Sequence, residues 1–131
     1  MTNLSKLGRL LCAAAMAAAP LMAGPVLAHG STQPKHGGQV VMSGETLVEI
    51  VRAPSGVAVY VTDEDEPLAA SGYNGKLIVA EGAKKREAML KSAAGNRFDA
   101  PGLKIANGAK VTVSLVNKAS SARTMASFTV K

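Results

Sequence analysis

Cysteine is nearly missing from this chain of 131 residues, and tryptophan is absent. The single cysteine, Cys12, lies in an apolar run near the amino terminus that we expect to be removed. Without it the protein contains no thiol, which excludes disulfides, thiolate metal sites and a cysteine nucleophile. Aromatic residues make up only 3% of the sequence, so the stacking surfaces that bind nucleic acid bases are not expected either.

Long hydrophobic runs are equally scarce, and the main one is "LLCAAAMAAAPLMAG", behind the cations Lys6 and Arg9. Pro20 interrupts this run, and the small-residue sequence "VLA" ends at Ala28. Together these features predict a secretory signal peptide over residues 1–28 rather than a membrane span. We therefore expect export to the periplasm and no stable membrane span in the mature form.

The excess of positive charge is small. Two of the 15 basic side chains lie in the predicted signal peptide, which leaves 13 against 9 acidic ones and a net charge of +4. The remaining residues, 29–131, have the length of one domain that can bury a core. The run Lys84, Lys85, Arg86 fits an ordinary solvated face.

The hydrophobic pattern of the mature chain repeats every two residues rather than every 3.6. In "KVTVSLV", Val111, Val113 and Leu115 alternate with polar residues, as a half-buried strand requires. Similar patterns separated by turn signals predict further strands at residues 39–42, 46–52, 57–62, 76–80, 86–91, 97–105 and 125–130, with a break allowed at residues 101–102.

Seven or eight short strands in about 100 residues indicate an all-β fold. We expect an antiparallel immunoglobulin-like β-sandwich over residues 39–131, preceded by a lead-in of histidine and glycine at residues 29–38. The segment "EGAKKREAMLKSAAG" is the one candidate helix, but it lacks a sustained i, i+3, i+4 apolar stripe, and we predict a strand there. A β-sandwich architecture by itself does not indicate which function the protein has.

Both histidines of the chain, His29 and His36, lie in the lead-in. Cleavage after Ala28 makes His29 the first residue, and its α-amino nitrogen and ring Nδ1 can chelate one metal ion. Gly37 and Gly38 allow the segment to double back, so that His36 adds a third nitrogen; three nitrogens in a plane suit Cu(II). The alternative is a polar, glycine-rich terminus that leads into the first strand and binds nothing.

Met42 and an acidic run are further candidates. Met42, six residues after His36, is a possible soft ligand for Cu(I), although a methionine in a strand commonly fills gaps in a core. The carboxylates at residues 63–66 could hold a hard cation, but the loop lacks the glycine and the closing glutamate of an EF-hand. We expect this run to be a solvated turn.

The stretch "PKHGGQVVMSGETLVEIV" and the following "VAVYVTDEDEPLAASGYNGKLIV" resemble small periplasmic bacterial proteins and the HGG-bearing segments of periplasmic adaptor subunits of heavy-metal efflux systems. The resemblance covers about residues 36–79, and its distinctive part is the HGG at His36 together with the acidic strand residue Glu49. It implies handling of copper or a related ion in the periplasm, with His36 as the position carried over. An amino-terminal histidine is also similar, more weakly, to that of copper-resistance carriers.

The sequence therefore predicts a periplasmic protein that binds copper or a similar divalent ion through His29, His36 and Met42. We expect it to act as a carrier, a buffer or a donor to an efflux system, with an efflux or envelope protein as partner. The competing interpretation is a non-catalytic structural or interaction module of the cell envelope. No enzyme is expected, because both histidines precede the scaffold that would have to hold a catalytic base rigidly.

Overall fold

The computed structural model describes residues 32–131. The predicted signal peptide and His29 lie outside this range. The described residues form nine strands and one short 3-10 turn at Ala70–Gly72: β1 (Gln39–Ser43), β2 (Thr46–Ala53), β3 (Gly56–Asp63), β4 (Glu66–Pro67), β5 (Tyr73–Glu81), β6 (Lys84–Ser92), β7 (Arg97–Pro101), β8 (Lys110–Asn117) and β9 (Arg123–Thr129).

Eight strands follow one another in the spatial order β1-β2-β3-β7-β6-β5-β8-β9, and the two-residue β4 pairs with β3. All of these pairings are antiparallel. The predicted all-β antiparallel fold is confirmed. Within the one candidate helix, residues 81–95, residues 84–92 form β6, as we predict for this segment; β7 ends at Pro101, where the sequence allowed a break. No helix within residues 32–131 has the length and apolar character needed to cross a bilayer.

The sheet is nearly closed, because β1 and β9 at its two ends lie side by side. The Gln39 side chain donates to Thr129 O at 2.7 Å and accepts from Lys131 N at 3.1 Å. The Ser43 hydroxyl donates to Met125 O at 2.7 Å. Two side chains of β1 thus form hydrogen bonds with backbone groups of β9 and of Lys131, which follows it. In a larger sheet, another strand would pair with these groups.

One core fills the space between the inward faces of the strands. Its most deeply buried members include Phe98 and Leu77, both 0% exposed. The inward residues alternate with outward ones, as the sequence pattern predicts. Leu47 and Glu49 on β2 differ from this pattern, because they lie on the outward side and are only 8% and 2% exposed. Residues of the lead-in bond to the Glu49 carboxylate on this side of the sheet.

Candidate functional site

Glu49 is a buried carboxylate on the outer face of the sheet. Its neighbours Val48 and Ile50 point into the core, so strand alternation directs Glu49 to the opposite side. There it faces Val40 on β1 and Tyr60 on β3, its cross-strand partners. A buried charge is unfavourable unless hydrogen bonds replace the lost water. Glu49 therefore needs hydrogen-bond donors close to its carboxylate.

Among residues 32–131, the lead-in supplies four hydrogen bonds to this carboxylate. Oε1 accepts from His36 N at 2.8 Å and from Gly38 N at 2.9 Å. Oε2 accepts from Lys35 N at 3.0 Å and lies 2.9 Å from His36 Nδ1. Backbone N–H groups of neighbouring residues that converge on one anion form an anion-binding nest. Here the anion is a side chain of the same protein, so the nest fixes residues 35–38 to the outer face of β2.

The two glycines after His36 are explained by this geometry. Gly37 has a φ of +74°, in the left-handed region that side chains other than glycine rarely adopt. A Cβ on Gly38 would lie 2.3 Å from Ile50 O, so no larger residue fits at that position without a shift of the backbone. The two glycines of the HGG sequence therefore allow the backbone of the lead-in to reach Glu49.

The His36 ring stacks on Tyr60. The two ring centroids are 3.5 Å apart, and the planes differ by 6°. Because Tyr60 is the cross-strand neighbour of Glu49, one side of the imidazole rests on the phenol while its Nδ1 edge faces the carboxylate. Stacking and hydrogen bonding together fix the orientation of the ring.

This arrangement leaves Nε2 as the available nitrogen of His36. A carboxylate only accepts hydrogen bonds, so Nδ1 carries the hydrogen and the lone pair of the neutral ring resides on Nε2. The His36 side chain is 39% exposed, whereas that of Glu49 is 2% exposed. A histidine whose second nitrogen is held by a carboxylate is the usual form of a metal-binding imidazole. The site can therefore offer one oriented nitrogen ligand to an ion from solvent.

The ionisation of Glu49 fits its role as a fixed anion. Burial acts to raise the pKa of Glu49, because it removes water from the charged form. Hydrogen bonds from the His36 ring and from the backbone N–H groups of Gly38, His36 and Lys35 act in the opposite direction. Together they outweigh burial, and the pKa lies below the ordinary value of 4.5.

A cationic group continues the row beyond Tyr60. Arg97 on β7 is the next cross-strand neighbour, and its Cζ lies 6.0 Å from the Tyr60 ring centroid. Its Nε donates to Asp99 Oδ1 at 2.7 Å, and this carboxylate raises the pKa of Arg97. A groove of about 300 Å³ beside this row is lined by residues that include Val51, Tyr60, Arg97 and Asp99.

The structure places two of the predicted ligands and leaves the third outside its range. His36 is anchored as described above, and His29 lies outside the described residues. Met42 is 38% exposed; on β1 it lies two residues beyond Val40, the partner of Glu49, and shares the outer face with the site. The alternative that Met42 fills the core is wrong, because the side chain points away from it. Within residues 32–131, no three His, Cys, Asp or Glu side chains converge in a ready-made metal site.

The acidic run at residues 63–66 is an exposed turn, as the sequence predicts. Glu64 and Asp65 have φ values of 47° and 65°, which place them in the left-handed conformation of a tight turn between β3 and β4. Asp63 Oδ1 accepts from the Thr46 hydroxyl at 2.6 Å. Within the described residues, these carboxylates and His36 do not converge on one position where a metal ion could bind.

Sequence reasoning did not identify Tyr60 as part of the site, and it noted Glu49 only through the resemblance. One signal was present: Glu49 lies within "LVEIV", where apolar neighbours on both sides indicate a strand with little water around it. The stack on Tyr60 depends on the register between β2 and β3, which no local pattern specifies. No family model, curated protein or solved structure matches the chain.

Proposed function

We propose that this chain is a periplasmic metal-binding protein that takes copper or a similar divalent ion through His36, with His29 and Met42 as further ligands. The observation that carries the proposal is the Glu49–His36 pair. The carboxylate holds Nδ1 at 2.9 Å, so Nε2 is the nitrogen that this part-exposed ring has left for a ligand. Imidazole nitrogen suits copper and zinc, and a thioether suits Cu(I).

Such a site fits a carrier, buffer or donor rather than a permanent metal centre. One fixed imidazole leaves most coordination positions of an ion open, so the ion can pass to another set of ligands. The role of donor to an efflux system rests on the resemblance of the HGG stretch. His29 would complete the chelate once the signal peptide is removed, because its α-amino nitrogen and ring then become available together.

The test is Cu(II) electron paramagnetic resonance on exported protein whose amino terminus is fixed by mass spectrometry. We expect a nitrogen-rich type-2 signal that loses one nitrogen in His36→Asn and changes again when one residue is added ahead of His29. The Asn variant is the matched control, since its amide can donate to Glu49 from nearly the place of Nδ1 but has no counterpart of Nε2. A spectrum of free copper in the unaltered protein, or one unchanged by His36→Asn, contradicts the proposal.

A second candidate function is a structural or interaction module without metal, and one observation favours it. The backbone N–H groups of Lys35, His36 and Gly38 and Nδ1 of the His36 ring bond to Glu49, so the HGG sequence has a folding role that needs no ion. Transcript levels distinguish the two functions. Induction by copper, zinc or cadmium supports the metal carrier, and indifference to all three supports the interaction module.

A further inference from the structure

One surface of the molecule is strongly biased in charge. We define the basic face as the outward-pointing side chains of the four neighbouring strands β6, β5, β8 and β9. Strand alternation and the cross-strand registers assign these side chains to one side of the sheet. Its charged members are one acid, Glu87, and five cations: Lys76, Lys85, Lys91, Lys110 and Arg123.

This face accounts for the whole excess charge of the described chain. The other charged residues within 32–131 comprise eight basic and eight acidic side chains. Glu87 pairs with Lys76 at 3.2 Å. The other four cations of the face form no ion pair with any described residue. The net charge of +4 is modest for a chain of this length, but it is concentrated on one side of the molecule.

Apolar side chains are interspersed among these cations. Met89 and Met125 are 69% and 47% exposed, although methionine is an apolar residue that usually packs inside. The registers place them at the two ends of one cross-strand row, with Lys76 and Ser114 between them. The half-buried Ile78 and Val116 lie on the same side of the neighbouring strands. The face combines positive charge with flexible apolar groups.

We propose that the basic face binds the surface of a membrane rich in anionic phospholipid. Its cations are spread over four strands, and two cavities of the described residues, of about 300 and 530 Å³, are lined by residues of other regions. A broad charged surface fits a broad anionic partner better than a shaped ligand. Cations near such a surface are attracted individually, while unbranched methionines can enter the interfacial layer. The face carries no aromatic side chain, so stacking on nucleic acid bases is not available to it.

The test is co-sedimentation of the exported protein with vesicles of phosphatidylglycerol, and with vesicles of phosphatidylcholine as the neutral reference. We expect binding to the anionic vesicles only, with loss of binding as salt is raised from about 0.05 M to about 0.5 M, because salt screens charges at a surface. Equal binding to both lipids, or binding that resists salt completely, overturns the proposal.

Two triple variants with the same net charge localise the effect. The first, Lys85→Gln, Lys110→Gln and Arg123→Gln, removes cations from the basic face; the second, Lys84→Gln, Lys118→Gln and Lys131→Gln, removes three cations from elsewhere. We expect the first to weaken binding about tenfold or more and the second to weaken it much less. Equal weakening shows attraction to net charge alone and contradicts a docking face. Displacement of the protein from vesicles by tighter binding to oligothymidylate would assign the face to nucleic acid instead.

Discussion

At the scale of single residues, Glu49 is the group on which the candidate site depends. It receives four hydrogen bonds from residues 35–38, and in return it fixes the tautomer and the direction of the His36 ring. A carboxylate can accept all four bonds, whereas an amide has only one acceptor oxygen. The site therefore requires a carboxylate at position 49, and a side chain of the same size that lacks the second acceptor oxygen cannot replace it.

Glu49→Gln should lower the free energy of unfolding by about 1–3 kcal/mol, because an amide has one acceptor oxygen and some donors of the lead-in lose their acceptor. Urea unfolding followed by circular dichroism measures this change. Glu87→Gln is the matched control: it removes an exposed carboxylate from the same sheet and should change stability by less than about 0.5 kcal/mol. Equal effects of the two substitutions would show that Glu49 does not anchor the lead-in.

Gly38→Ala should also destabilise the protein, by about 1–3 kcal/mol, since overpacking forces the backbone apart. The added Cβ would lie 2.3 Å from Ile50 O. Gly72→Ala serves as control, because a Cβ at Gly72 meets nothing within 4 Å. Comparison of the two urea midpoints checks the claim, and a stable Gly38→Ala protein would show that the lead-in can sit farther from β2.

At the scale of elements, the lead-in and the contact between β1 and β9 are the parts that local patterns do not describe. Alternation in segments such as Val111, Val113 and Leu115 is a short-range property, and it predicts the long strands well. The two-residue β4 and the 3-10 turn at Ala70–Gly72 are too short to show a period. The stacking of His36 on Tyr60 joins residues that are far apart in the chain, and only the finished strand register brings them together.

Gln39→Ala should loosen the end of the chain beyond β9. The Gln39 side chain bonds Thr129 O and Lys131 N, so its removal leaves both groups to water. We expect faster amide hydrogen exchange at Lys131 and a stability loss of about 1 kcal/mol. Unchanged exchange at Lys131 would mean that β1 does not secure this end of the sheet.

At the scale of the whole molecule, stability should depend on pH through Glu49. Its pKa is below 4.5 in the folded protein, so the folded state binds fewer protons than the unfolded chain in acid. The stabilisation is complete above the ordinary pKa and is lost as the pH falls through the lowered value. We expect the urea midpoint to fall as the pH is lowered below the ordinary value of 4.5, and to fall less in Glu49→Gln. An equal slope in both proteins would assign the acid sensitivity to other carboxylates.

We propose that Glu49 holds His36 so that Nε2 can bind a metal ion. The most direct measurement is nitrogen-15 NMR of the imidazole rings in exported protein, before and after addition of Zn(II), a diamagnetic ion with the same preference for imidazole. We expect that Nδ1 of His36 carries the hydrogen in the free protein and that zinc shifts the Nε2 resonance. A hydrogen on Nε2, or an Nε2 resonance that zinc leaves unchanged, would contradict it.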